Sequence, residues 1–131
     1  MSTSEDSLRT WRFKQLRRSL LALARPASDQ VSLFPDFVVT ADELALDFDH
    51  WADVVSTHYG DELSRERTES LTAISARLAT MSRDGAEFDP NLWTEEGLRT
   101  SEHWEQIRQL ASIALTEFAS EELVTSPLPP S

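Results

Sequence analysis

The sequence predicts an all-α protein: a four-helix bundle or irregular helical array with a short extra helix. Four segments repeat apolar residues at steps of three and four, the spacing of one α-helical face. Only three glycines occur in 131 residues, too few for the many tight turns of a β-fold. The apolar fraction of 40% is enough for one core. We therefore predict one helical domain over residues 1–122, followed by a loose, proline-rich tail over residues 123–131.

The first helix is predicted from about Ser4 to Ala24, and Pro26 stops it. Its buried stripe consists of apolar residues at helical spacing: Phe13, Leu16, Leu20 and Leu23. The opposite side carries a basic stripe with a tryptophan: Trp11, Lys14, Arg18 and Arg25. Such a stripe can bind a membrane surface or nucleic acid, but we favour packing against an acidic face of the same protein. Residues 27–34 follow as a short helix or turn.

The second long helix begins at Asp36 or Thr40 and runs to His58. Thr40 and Glu43 have the spacing of a capping box, in which two side chains satisfy free N–H groups of the first turn. Gly60 is placed to end the helix. Its core stripe comprises Phe37, Ala41, Leu44, Phe48, Trp51 and Val55.

The third long helix ends near Ser82, and the fourth runs from its cap at Ser101 to about Ser120. Residues 83–100 connect them and can form a short helical turn after Thr94. Three apolar residues of the segment 83–100 are expected to cover the open end of the core: Leu92, Trp93 and Leu98. The stripe of the third helix is Leu63, Leu71, Ile74, Leu78 and Met81, and that of the fourth is Trp104, Ile107, Ala111, Ala114 and Phe118.

Charge is distributed unevenly along the chain, whose net charge is −11. Residues 1–25 carry a charge of +4, whereas residues 26–64 contain nine acids and no base. An acidic surface disfavours nucleic acid as a partner, because phosphate contacts need Lys and Arg. It favours a basic protein partner, because complementary charge steers encounter. The alternative is that the acidity only maintains solubility.

Several function classes are disfavoured by the sequence. The chain has no cysteine, which rules out disulfides and thiolate zinc sites, and no apolar run long enough to span a membrane. Arg17-Arg18 precede an apolar run of five residues, shorter than the core of a secretion signal, so we expect a cytoplasmic protein. No Gly-x-Ser-x-Gly motif or other catalytic set is readable. We expect neither an enzyme nor a bound cofactor.

The second long helix carries the best candidate site. At about 100° per residue, its outer side has two rows of carboxylates: Asp42, Asp49 and Asp53 on one flank, and Asp36, Glu43 and Asp47 on the other. Between them lie two apolar residues and a histidine: Val39, Leu46 and His50. As a binding surface, the apolar ridge would exclude water and the acids would select a basic partner.

The competing interpretation places the same residues inside the fold. Val39 and Leu46 would then pack under other elements, and the acids would pair with arginines of the first helix. On the binding interpretation, the candidate partner-binding residues are Val39, Asp42, Glu43, Leu46, Asp47, Asp49, His50 and Asp53.

The same helix also carries residues of the types that bind metal ions. Glu43, Asp47 and His50 share one face, and the segment from Asp47 to His50 is similar to the Glu-x-x-His pattern of di-iron bundles. The pattern occurs once rather than twice. We therefore predict no metal site, and keep a helical carboxylate/His metalloprotein as the least favoured alternative.

Three segments carry a resemblance to a known type of protein: Leu33-Phe-Pro-Asp-Phe37, Asp42-Glu-Leu-Ala-Leu-Asp-Phe-Asp49 and Leu92-Trp-Thr-Glu-Glu-Gly-Leu98. In an acidic, cysteine-free helical chain, they resemble the small immunity proteins of bacterial toxin systems. The resemblance is one of type and covers most of the chain. It implies stoichiometric inhibition of a cognate basic toxin, with the acids of the second long helix meeting its cleft. The alternative is a structural or regulatory subunit whose exposed apolar ridge mediates oligomerisation, and a homodimer is compatible with the sequence.

Overall fold

A computed structural model describes residues 3–33 and 39–125 of the chain. The described residues form six α-helices and no strand, so the all-α prediction is confirmed. Two 3-10 turns, Gly60–Glu62 and Pro90–Trp93, lie between them. The helices are α1 (Thr3–Ala24), α2 (Ala27–Gln30), α3 (Thr40–Tyr59), α4 (Arg65–Met81), α5 (Glu95–Thr100) and α6 (Glu102–Thr125).

The four long helices pack as a bundle in which α1 lies between α3 and α6, and α6 lies between α1 and α4. Every residue of the stripes predicted for α1 and α6 is buried, and the helical residues of the α4 stripe are buried too. In α3 the described stripe residues are buried except Trp51, which is half-buried. Helices α3 and α4 contact each other much less than the other neighbours do. The α3–α4 side is therefore the least closely packed side of the bundle.

Helix α3 starts at Thr40 and ends before Gly60, as predicted, but its N-terminal cap differs from the prediction. Val39 is the N-cap residue, and its side chain forms no capping hydrogen bond. Thr40 is already helical, so the predicted capping box of Thr40 with Glu43 does not form. Gly60 ends the α-helix in a right-handed conformation (φ −54°, ψ −38°), because the chain continues into the 3-10 turn. Asp36 and Phe37 lie outside the described residues.

Side-chain caps fix the starts of the later helices. The Ser64 Oγ accepts a hydrogen bond from the Arg67 backbone N–H at 3.1 Å, which caps α4. The Thr94 Oγ1 caps α5 by accepting from the Gly97 backbone N–H at 3.0 Å. These bonds satisfy N–H groups that have no partner within the helix. Helix α6 continues to Thr125, beyond the predicted end at Ser120 and into the segment predicted as a tail.

The connection between α4 and α6 closes one end of the core, as predicted. Leu98 is fully buried, and Leu92 and Trp93 pack partly buried against the core. The Trp93 Nε1 donates to the backbone carbonyl of Met81 at 2.9 Å. The Trp104 ring meets Trp93 edge-on, with 5.4 Å between ring centroids. These contacts hold the segment 82–93 in place beside α3 and α4.

Candidate functional site

The outer side of α3 exposes the two apolar residues of the predicted ridge. Val39 is 51% exposed and Leu46 is 61% exposed. Both therefore point away from the core, and the interpretation that packs them under other elements is wrong. Their place on the surface follows from helical spacing, because the opposite side of the same helix is occupied by buried Leu44 and Phe48.

The carboxylates beside this ridge have no polar partner among the described residues. Asp42, Asp47, Asp49 and Asp53 are exposed and Glu43 is half-buried, and no side-chain hydrogen bond or ion pair is formed by any of them. The expected pairing of these acids with the arginines of α1 is therefore absent in this part of the chain.

Two arginines of α1 instead contact the last residue of α3 and the 3-10 turn that follows it. The Arg9 guanidinium pairs with Glu62 at 2.9 Å, and the Arg12 Nη1 donates to the Tyr59 hydroxyl at 3.1 Å. The Arg9 guanidinium also lies over the Phe13 ring, 4.7 Å from its centroid. These contacts lie at the C-terminal end of α3 and leave the carboxylates of the preceding turns unpaired.

A groove of about 450 Å³ lies between α3 and the segment 82–93. On the α3 side its apolar surface comes from Ala45 and Leu46, and carboxylates stand beside them. On the opposite side Arg83 is the cationic residue. The α3 residues that line the groove are Asp42, Ala45, Leu46 and Asp49, and the facing residues are Ser82, Arg83, Phe88, Pro90 and Trp93. We call this the α3 groove.

Asp49 differs electrostatically from its neighbours. Burial raises the pKa of its carboxyl group above the ordinary value, because surrounding atoms remove part of the water that stabilises the charged form. A second groove, of about 570 Å³, also has Asp49 on its wall, together with Arg83 and Asp84. Asp49 thus lies where two surface grooves meet, partly desolvated and without an ion-pair partner among the described residues.

The other flank of α3 faces α1. Asp47 lines a groove of about 380 Å³ with Arg18 and Arg25, so part of the basic stripe of α1 lies near an acid of α3 without forming an ion pair with it. Further along, the Trp11 and Trp51 rings meet edge to face with 5.2 Å between centroids. The His50 and Trp51 rings are 4.5 Å apart. The α1–α3 side therefore joins exposed aromatic and charged groups.

Glu43, Asp47 and His50 do not form a metal-ligand set. Among the described residues, no group of three or more His, Asp or Glu side chains is placed to hold a metal ion. Glu43, Asp47 and His50 share a helix face but lie along its length instead of converging on one point. Within the same part of the chain, no helix is long and apolar enough to cross a membrane.

The far wall of the α3 groove was missed by sequence reasoning. Arg83, Phe88 and Pro90 belong to an irregular connection that is distant from α3 in the sequence. Irregular segments have no periodicity that would indicate which face they present. Trp93 was predicted only as a cover for the core, and it also lines the groove.

Comparisons of the chain with protein-family models, with curated proteins and with solved structures find no match. Function must therefore be inferred from the surface chemistry of the chain itself.

Proposed function

We propose that this chain is a protein-binding inhibitor, an immunity protein that neutralises a basic bacterial toxin by stoichiometric binding. The observation that carries the proposal is the outer side of α3. Two exposed aliphatic residues, Val39 and Leu46, stand between carboxylates that have no ion-pair partner among the described residues. An apolar centre with a charged rim is the usual composition of a specific protein interface.

The apolar and the charged residues of this surface would contribute differently to binding. Burying Leu46 against a partner would remove apolar area from water, which stabilises a complex by roughly 25 cal/mol per Å² before association costs are subtracted. The surrounding acids would contribute chiefly to the rate of association and to the choice of partner. A basic cleft of the kind that binds nucleic acid or anionic substrates would match this pattern of charge.

The test begins with affinity purification of the partner, using the chain as bait. We expect one dominant basic protein at 1:1 stoichiometry, and loss of that protein's toxic activity in the complex. Association rates are then compared at about 0.05 M and about 0.5 M NaCl. The variant reverses four charges: Asp42→Lys, Glu43→Lys, Asp47→Lys and Asp49→Lys. We expect its association rate to fall about tenfold or more at the lower salt concentration and less at the higher.

A matched control reverses four exposed acids outside α3: Asp6→Lys, Glu66→Lys, Glu96→Lys and Glu102→Lys. Both variants change the net charge equally, so a contribution from net charge alone would slow both equally. Equal slowing of the two variants would contradict the proposal that the partner binds the outer side of α3. A partner whose activity is unchanged in the complex would contradict inhibition.

The alternative function, a subunit that acts through oligomerisation, is favoured by a different surface. Ile113 is 57% exposed and lines a groove of about 440 Å³ between α4 and α6, beside Ala73 and Ala76. An apolar side chain next to small residues can pack against a second copy. Sedimentation distinguishes the two functions: a stable, salt-insensitive oligomer that Ile113→Glu dissociates would favour the subunit, and a monomer would favour the inhibitor.

A further inference from the structure

We propose that the α3 groove is the binding pocket for a single arginine side chain of the basic partner. This inference rests on the proposed function and adds to it the specific contact. It concerns one open surface groove with one occupant of stated chemistry, whereas the proposed function requires only that the outer side of α3 binds a basic surface.

The shape of the groove suits a long side chain with a charged end. Its volume of about 450 Å³ lies within the range of sites that hold small ligands. Leu46, Phe88 and Trp93 supply apolar surface for the aliphatic stem of an arginine. Long basic side chains bury their methylene groups in this way while the charged end reaches polar groups.

The charges of the groove favour a cation over an anion. Asp42 and Asp49 are seven residues apart, so two helical turns place both carboxylates on one side of α3, where both line the groove. Neither has an ion-pair partner among the described residues. The helical rise separates their Cα atoms by about 10 Å, so a guanidinium would bond the Asp49 carboxylate while the Asp42 carboxylate adds attraction at longer range. A guanidinium can form two parallel N–H bonds to one carboxylate, which the point charge of a lysine does less well.

Partial desolvation of Asp49 adds to the same preference. Its carboxylate has already lost part of its hydration in the free protein, and burial raises its pKa. Part of the desolvation that an ion pair requires is therefore already present before a partner arrives. A charge-assisted hydrogen bond in such a place is stronger than one formed in open water.

The charge of Arg83 makes it possible to test whether the groove binds a cation or an anion. It lines the α3 groove and the neighbouring groove, and its side chain forms no hydrogen bond or ion pair with the described residues. Its positive charge opposes an arginine that enters from a partner. Removing this charge should strengthen binding of a cation, and it would weaken binding of an anion.

The test uses N-acetyl-arginine amide as the probe and two-dimensional NMR of the isotope-labelled full chain. We expect saturable shifts of the Leu46 methyl and Trp93 indole signals, with a Kd of about 1 mM or weaker, as is typical of one weak contact. N-acetyl-citrulline amide, the neutral analogue of similar shape, should shift these signals at least about fivefold less at equal concentration.

Three variants separate the groove from general acidity. Asp49→Asn should weaken binding of the arginine probe at least about threefold. Asp53→Asn removes the same charge from an exposed residue of α3 outside the groove and should leave the Kd within about twofold. Arg83→Gln should strengthen binding about twofold or more.

Each opposite result would overturn the inference: unsaturable shifts, equal binding of citrulline, equal effects of the two aspartate variants, or weaker binding by Arg83→Gln. The outcomes for the proposed function are separate. A captured toxin that depends on the α3 acids, together with no arginine binding, would remove the pocket and keep the function. Arginine binding without any inhibited partner would keep the pocket and remove the function.

Discussion

Gln30 and Arg108 join four helices through one buried polar network. The Gln30 side chain is fully buried, and its Nε2 donates to the carbonyls of Ala22 at 3.0 Å and Leu23 at 2.9 Å, which closes the C-terminal end of α1. Its Oε1 accepts from the Arg108 Nε at 3.2 Å. Arg108, 9% exposed, also donates to the Leu98 carbonyl. Every member has a partner, which is the condition under which buried polar groups stabilise a fold.

Gln30→Ala should destabilise the protein by about 2–4 kcal/mol. The substitution leaves two α1 carbonyls and part of the Arg108 guanidinium without their partners, and unsatisfied buried groups cost about 1–3 kcal/mol each. Urea unfolding measures the change, with Gln106→Ala on the exposed side of α6 as the control, expected within about 0.5 kcal/mol of the parent. If Gln30→Ala lowers the free energy of unfolding by less than about 1 kcal/mol, water replaces the lost hydrogen bonds at little cost.

Asp49 allows a prediction about pH. Its folded-state pKa is raised by burial, so the proton binds more tightly to the folded than to the unfolded chain. The charged form therefore opposes folding above the raised pKa, and this penalty disappears as pH falls below the ordinary value. Asp49→Asn should be more stable than the parent at pH 7, and its advantage should shrink as the solution is acidified. An advantage that grows on acidification would give the shift the opposite sign.

The control for this experiment is Asp53→Asn, which removes one charge from α3 outside the groove. Unfolding by urea at pH 7, 5 and 3.5 follows both variants. The stabilisation at pH 7 should be larger for Asp49→Asn than for Asp53→Asn, because only the former relieves a desolvated carboxylate. Equal stabilisation would point to net charge as the sole cause.

At the scale of elements, helical periodicity predicted the long helices and their buried faces well. It succeeded because each helix has one apolar stripe, and the same stripe then determines which residues of α3 face outward, including Leu46. It also predicted Thr40 as one of two starts of α3 and Gly60 as its end, but it failed at the cap, because Val39 and not Thr40 is the N-cap residue. Periodicity also could not predict that the Gln30 side chain is buried, because a four-residue helix is too short to show a periodic pattern.

In the candidate site, too, the helical part could be predicted from the sequence and the irregular part could not. The α3 wall of the groove was predictable, because helical spacing assigns Asp42, Leu46 and Asp49 to one side. The facing wall was not, because Phe88 and Pro90 reach it through a connection whose path depends on tertiary contacts. The bond from Trp93 to the Met81 carbonyl is one such contact, and nothing in the local sequence specifies it.

The glycines of the described chain give an element-scale prediction. A Cβ at Gly97 would meet the backbone of the preceding 3-10 turn, with the Leu92 Cα only 2.8 Å away, whereas a Cβ at Gly60 meets nothing within 4 Å. Gly97→Ala should therefore displace α5 from the turn and destabilise the protein by about 2 kcal/mol or more, as overpacking does. Gly60→Ala should stabilise it by about 0.4–1 kcal/mol, because its helical φ and ψ suit alanine.

Thermal or urea unfolding of the two glycine variants checks this pair. The substitutions are chemically identical, so a difference in sign between them isolates the close approach at α5. If Gly97→Ala leaves stability unchanged, the contact between α5 and the 3-10 turn is adjustable, and destabilisation by Gly60→Ala would contradict the open space at that position.

At the scale of the whole molecule, the distribution of charge is costly for folding. The net charge is −11, and residues 26–64 contain no base. Folding brings the α3 acids together without giving them ion pairs to described residues, so no such pair offsets their mutual repulsion. A surface that lowers stability in this way is expected when carboxylates serve a partner and not the fold.

Removing three acids from α3 should therefore stabilise the free protein, and an equal change elsewhere should not. The α3 variant combines Asp47→Asn, Asp49→Asn and Asp53→Asn, all beyond the first helical turn. The control combines Glu66→Gln, Glu96→Gln and Glu102→Gln, acids in first turns that the helix dipole favours by about 0.3–1 kcal/mol each. At low salt, the urea midpoint should rise for the first variant and fall for the second, although net charge changes equally.

The same repulsion predicts how added salt changes the stability of the parent and of the α3 variant. Screening weakens repulsion between exposed charges over about 8–10 Å at physiological ionic strength. The parent protein should gain stability when NaCl is raised to about 0.2 M, and the α3 variant should gain less, because its repulsion has already been reduced. If the α3 variant is instead less stable than the parent at low salt, those carboxylates stabilise the fold, and their exposure on α3 no longer argues for a basic partner.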